Sequence, residues 1–365
     1  MIPLFKIHDP KTLGPLISDL FAKGTITEGE YSDKFEFMLA EYVKNKNTSL
    51  VNSCTSALTL AYRLCDLKEG DEVIVTPMTC MATNVPFDSF GVNLVFADID
   101  PNTGNIDPED VAKKITSKTK AVAAVHWAGQ PFDIDAINDI AKSNGLKVVE
   151  DAAHALGATY NGRPIGGHSD YTCFSFQAIK HLTTADGGAI CSASPLDDER
   201  IKKLRWFGLD RKFTAKTGRS RWEQDITECG YKFHMNNLNA LIGIEQMKHV
   251  EDLIGKHKFN SKFYDNHINN SKVKKMTRDP KSESSSWIYS VLVDDREDFK
   301  KYLADCGISS DVVHVRNDIY SVFKKYGKSN LPGCDEFCSK MINIPVGWWL
   351  TEEDRNKIVS VVNEY

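Results

Sequence analysis

Short apolar runs recur through the first two hundred residues, separated by longer stretches whose apolar positions fall three or four apart. The runs are Val73–Thr76, Leu94–Ala97, Ala121–Val125, Lys147–Glu150, Thr172–Phe176 and Ala189–Cys191. They are nearly continuous in Val, Ile, Phe and Ala rather than alternating with polar residues, the pattern of strands covered on both faces. The intervening stretches, such as Ala57–Leu64, have the helical spacing needed to provide those covers. The pattern therefore predicts an α/β fold with a mainly parallel mixed sheet between helices. Farther on, Asn236–Ile254 reads as one long helix leaving this unit, and Ser286–Val293 as a strand of a smaller α+β unit. At 365 residues the chain has room for about two domains. The expected division is 1–250 for the large domain and 251–365 for the C-terminal one.

Chemistry concentrates where these strands end. The run Phe174–Thr184 places Lys180 just beyond an apolar strand and before Gly187-Gly188. A partly desolvated lysine has a lowered pKa and forms Schiff bases with carbonyls; the alternative is a solvated loop lysine. The strand Leu146–Glu150 delivers Asp151 at its carboxyl end, where open α/β sheets bind ligands. Asp151 suits either pairing with a pyridinium nitrogen or capping the next helix. Upstream, Asn52-Ser53-Cys54-Thr55-Ser56 opens a helix with small hydroxyl residues, and free N–H groups at a helix start favour a phosphate.

With these three segments in this order, the sequence resembles the pyridoxal-phosphate sugar aminotransferases of the DegT/DnrJ type, members of the aspartate-aminotransferase fold type I superfamily. The likeness extends over Gly24–Gly29, Asp71–Pro77, Phe96–Pro101, Gly230–Met235, His314–Asp318 and Ile344–Gly347, nearly the whole chain. It implies that Lys180 holds pyridoxal 5′-phosphate as a Schiff base and then acts as general base, with pyridoxamine phosphate as the intermediate form of the cofactor. Asp151 would pair with the ring nitrogen. His154 stands where relatives often have Gln, near the phenolic oxygen. Ser175, Thr55 and the backbone at Cys54 would hold the phosphate. Lys232 falls where many relatives have an Asn that reaches the phosphate of the neighbouring subunit, which implies a homodimer with shared active sites.

Two positions depart from the family pattern. Cys80 stands where an aromatic residue usually stacks on the cofactor, so a polarizable thiol would cover that face. His234 replaces a more usual Arg. Relatives with His in place of the Schiff-base lysine are deoxysugar dehydratases; here His181 follows Lys180 and does not replace it, so dehydration is disfavoured.

Net charge of −5 argues against a nucleic-acid protein. Nine cysteines without framework spacing fit reduced thiols in the cytoplasm, and Cys334 and Cys338 lack the second pair of a zinc site, so no metal is expected. No apolar stretch is long enough to span a bilayer, so a soluble cytoplasmic protein is expected. The basic stretch Arg205–Gly230, with Arg211, Lys212, Lys216, Arg219 and Arg221, reads either as a solvated loop or as a cationic flap over a substrate diphosphate. His314 and Arg316 lie, by resemblance, near the sugar, and together with Cys80 and with Arg219 of the basic stretch they are the candidate substrate contacts.

The implied reaction is ping-pong transfer of an amino group from L-glutamate to the ketone of a nucleotide-linked 4-keto-6-deoxyhexose. Amination at C3 of a 3-keto isomer is the alternative within the same chemistry. A non-catalytic regulatory protein on the same fold is the alternative from another class, and the joint presence of Lys180, Asp151 and Ser175 argues against it.

Overall fold

The computed structural model describes residues 1–327 and 330–365. A seven-stranded sheet runs in the order Thr48–Val51, Gly188–Ser192, Tyr171–Ser175, Lys147–Asp151, Thr119–Val125, Glu72–Val75 and Asn93–Phe96. Gly188–Ser192 is antiparallel to both its neighbours, and the remaining pairings are parallel. All six predicted runs are strands of this sheet. The seventh, Thr48–Val51, was not predicted, because it opens with two hydroxyl residues. Their hydroxyls are satisfied inside the protein: Thr48 Oγ1 donates to the Asn45 carbonyl at 2.6 Å and Ser49 Oγ to Asp198 at 2.8 Å, so a buried strand can carry them.

Alternate residues of one strand enter different cores. Val73, Ala123 and Val149 pack with the helix Cys54–Leu64 on one face. Ile74, Val122 and Val148 pack with the helices Glu30–Val43 and Ile134–Asn144 on the other. Both faces are thus apolar, which is why the runs are continuous in sequence.

The long helix expected over 236–254 is two helices, Asn237–Met247 and Val250–His267, broken at Lys248 and His249. Ile244 before the break and Val250 after it enter the same core, so the apolar spacing continues across the break and hides it. The second helix reaches a three-stranded antiparallel sheet formed by Lys274–Lys275, Tyr289–Leu292 and Met341–Ile344. One side of that sheet has a core whose buried members, among the described residues, are Ile2 and residues from Tyr264 onward, whereas Leu292 and Met341 enter the core that holds Val73 and Val149. Among the described residues no helix is long and apolar enough to cross a membrane.

Candidate active site

Val51, Gly188 and Ser175 lie in register across three adjacent strands. Two residues past Val51 the chain enters the helix Cys54–Leu64, capped by Ser53, whose Oγ accepts from Ser56 N at 3.1 Å. Ala57 N donates to the Ser53 carbonyl, so the Cys54 and Thr55 N–H groups, which have no intrahelical acceptor, point out of the helix start. A Cβ on Gly188 would lie 2.6 Å from Cys54 N, so only glycine lets the strand come this close to the helix. Ser175, buried beside Gly188, borders the same helix start.

Two strands away from Gly188, Asp151 closes the strand Lys147–Asp151. Its Oδ2 accepts from Thr83 Oγ1 at 2.6 Å and its Oδ1 from Ala153 N at 3.0 Å. Burial raises its pKa against those hydrogen bonds and the charge of Lys180. Lys180 is half-buried as a residue, and its ammonium lies 3.6 Å from the centroid of the Trp287 ring. Burial lowers the lysine to about 8, against the pull of Asp151, Cys80 and Cys54, which surround the same space.

Trp287 stacks on His154 with ring centroids 3.9 Å apart, and His314 stacks on His154 at 5.4 Å with Nε2 atoms 3.4 Å apart. Burial, followed by the charge of Lys180, keeps both imidazoles neutral; His314 falls to about 3. His154 Nδ1 is buried without a partner among the described residues. An anion cradle that a Cβ would fill, a carboxylate set for a ring nitrogen, an amine poised near neutrality and an orphaned imidazole nitrogen form the donor set that pyridoxal phosphate requires.

The model of the DegT/DnrJ/EryC1/StrS aminotransferase family matches residues 12–363. The chain belongs to this family. It is 31% identical to the UDP-4-amino-4,6-dideoxy-N-acetyl-β-L-altrosamine transaminase of Campylobacter jejuni, over 88% of this chain and 85% of that one. The crystal structure of the sugar aminotransferase CalS13 from Micromonospora echinospora superposes with a TM-score of 0.95 at 33% identity, covering 100% of both chains. Spr1654 of Streptococcus pneumoniae, solved in its pyridoxal-phosphate form, gives a TM-score of 0.90 at 29% identity, covering 100% of this chain and 98% of that one. Its pyridoxamine-phosphate form has also been solved. The fold is that of type I, and the activity is pyridoxal-phosphate-dependent sugar transamination.

Of the residues singled out in the sequence, Lys180, Asp151, His154, His314, Cys54 and Cys80 lie together. Lys232 is exposed, its main chain bonded to Asn52 beside the helix start and its ammonium 4.4 Å from the Trp206 ring centroid. Arg316 faces two carboxylates, Asp318 at 2.7 Å and Asp335, rather than the lysine. Arg219 pairs with Glu223 at 3.2 Å on an exposed segment. The basic stretch holds a short helix, Phe213–Thr217, and part of its charge is neutralised within the chain: Arg211 and Arg205 pair with Glu28, and Lys216 with Asp210. His234, pushed down to about 4 by burial and nearby cations, packs edge-on against Trp206.

Sequence reading missed Trp287 and Thr83. Nothing local marks Trp287, which arrives from 107 residues beyond Lys180 through tertiary packing. Nothing local marks Thr83 either: it lies in the short helix Met81–Asn84, while Thr79, whose hydroxyl meets its own at 2.6 Å, lies in the bend before that helix.

Proposed function

We propose that this enzyme moves the amino group of L-glutamate to C4 of a nucleotide-linked 4-keto-6-deoxyhexose. The observation that carries this reading is the Campylobacter relative, whose name puts the amine on C4 of a 4,6-dideoxy sugar joined to UDP. The site around Lys180 supports the chemistry independently.

Cys54 and Thr55 N–H, with the Ser175 hydroxyl, would hold the cofactor phosphate; Asp151 would hold the ring nitrogen, and His154 the phenolic oxygen. When bound, pyridoxal phosphate supplies the electron sink that spreads the charge of a carbanion next to nitrogen. Lys180 Nζ first anchors the group. As a free amine it would take the proton from the donor carbon that bears the amine and later deliver one to the sugar carbon that receives it. With a pKa of about 8, roughly a tenth of the lysine is neutral at pH 7, against less than about a thousandth at its ordinary value. Asp151 remains an acceptor because Thr83 and Ala153 donate to it. His154 and His314, both neutral, leave the space around Lys180 without further positive charge.

A homodimer completes the proposal, with Lys232 reaching the partner's phosphate. Its exposure and its place beside Asn52 support this role. The same reading divides the chain into domains 1–250 and 251–365 and places the reaction in the cytoplasm, where nine free thiols stay reduced.

The test is product analysis. The protein, L-glutamate and pyridoxal phosphate are incubated with uridine, thymidine and guanosine diphosphate 4-keto-6-deoxyhexoses and with a 3-keto isomer. NMR of the product should place the new amine on C4. An amine on C3, or no product from any of them, overturns the substrate assignment.

A further inference from the structure

The two oxygens of Asp151 have different partners. Oδ1 accepts from a backbone N–H, that of Ala153 at 3.0 Å, whereas Oδ2 accepts from the Thr83 hydroxyl at 2.6 Å. Thr83 Oγ1 is in turn 2.6 Å from Thr79 Oγ1. Asp151, Thr83 and Thr79 are all buried. An ionised carboxylate only accepts, so Thr83 must donate to it, and the free lone pair of Thr83 then accepts from Thr79. Both hydroxyl protons are thereby directed toward Asp151.

The turn that carries the two threonines is itself fixed. Tyr62 Oη donates to the Thr83 carbonyl at 2.8 Å, and the buried Asn317 donates through Nδ2 to the Thr79 carbonyl at 2.8 Å. Asn317 also accepts from Asn84 at 3.0 Å, which ties the same turn to the segment carrying His314. The hydroxyls therefore have little freedom to seek other partners. No arginine or lysine hydrogen-bonds Asp151 among the described residues, so these donors carry much of the stabilisation that a buried carboxylate needs.

We propose that Thr79 and Thr83 form a two-hydroxyl relay that positions the Asp151 carboxylate and keeps it an acceptor for the protonated ring nitrogen of the cofactor. Thr83 and Thr79 are positioning residues; neither touches the reacting atoms. The relay sets how tightly the ring is held and over what pH range the nitrogen keeps its proton. Charge-assisted hydrogen bonds are among the stronger ones, and a hydroxyl that accepts while it donates is a better donor. The inference rests on the cofactor reading given above.

The experiment compares the unaltered protein with Thr83→Val, Thr83→Ser and Thr79→Val. Cofactor-free protein is titrated with pyridoxal phosphate, and the visible absorption of the loaded protein is followed against pH. Thr83→Val should weaken binding by roughly ten- to a hundredfold, the range for loss of one hydrogen bond to a charged group, and should shift the absorption titration. Thr83→Ser should restore both to within about threefold, and Thr79→Val should fall between the two. Thr83→Val that binds and titrates like the unaltered protein overturns the relay, as does Thr83→Ser that is as weak as Thr83→Val. If Thr83→Val fails to fold, Thr79→Val and Thr83→Ser still decide: Thr79→Val indistinguishable from the unaltered protein, or Thr83→Ser without the expected recovery, overturns it. Failure of the unaltered protein to take up the cofactor overturns the reading of the whole site and is told apart by needing no variant.

Discussion

Replacing Lys180 with Met removes an ammonium while keeping an unbranched side chain, and it should stabilise the cofactor-free protein. Burial lowers the lysine from 10.5 to about 8. At about 1.4 kcal/mol per unit, that gap corresponds to a cost of about 3 kcal/mol for holding the charged form in the fold. The Trp287 face, 3.6 Å from the ammonium, returns about 1–2 kcal/mol as a cation–π contact, leaving an expected gain of about 1–3 kcal/mol. The sign with pH follows from proton linkage. Below about pH 8 folded and unfolded chains both hold the proton, and the folded chain carries the whole cost. Between about 8 and 10.5 the unfolded chain holds a proton that the folded one has released, so wild-type stability rises with pH in that window. Urea unfolding of both cofactor-free proteins from pH 7 to 9.5 measures this. Lys180→Met should be the more stable at pH 7, by an amount that shrinks as pH rises past 8. A variant less stable at pH 7, or a difference that does not change with pH, would refute the desolvated lysine.

Further tests address the surrounding structure. Gly188→Ala puts a methyl group 2.6 Å from Cys54 N, so the helix start must shift; pyridoxal phosphate affinity should fall more than about tenfold with about 1–3 kcal/mol of lost stability, by titration and by melting. His126→Leu leaves Glu150 without its partner, 3.0 Å away in a wholly buried pair, and should cost about 3–5 kcal/mol. Although burial acts to raise it, the hydrogen bond from His126 holds Glu150 below the ordinary carboxylate range. Its stabilisation is present above that ordinary value and lost as pH falls through the lowered one, so His126→Leu should unfold at higher pH in an acid titration followed by circular dichroism. Asp151→Asn should retain the covalently held cofactor, seen by its visible band, while kcat drops on the order of a hundredfold or more; an unchanged kcat would assign the ring nitrogen to another partner.

Lys180, Asp151 and the helix start at Cys54 were legible because an apolar run marks a strand, a strand's carboxyl end marks the ligand edge of an α/β sheet, and residue type then selects the chemistry. The central sheet was legible for the same reason, except for Thr48–Val51, whose hydroxyls resemble loop residues until their buried acceptors are seen. Sequence could not show which cations are already neutralised. Arg316 had the residue type of a substrate fork, yet its guanidinium is held by Asp318 and Asp335. Nor could it show Trp287, placed on Lys180 by the packing of the C-terminal sheet against the large one. The Trp287 contact joins residues 107 apart in the chain, and local spacing carries no trace of it.

The most direct measurement is borohydride reduction of the protein loaded with pyridoxal phosphate, followed by peptide mass mapping. The added mass should fall on the peptide containing Lys180 and disappear when L-glutamate is supplied before the reductant. A label on another lysine, such as Lys232, or no label at all, would contradict the assignment of Lys180 as the residue that anchors the cofactor and moves the proton.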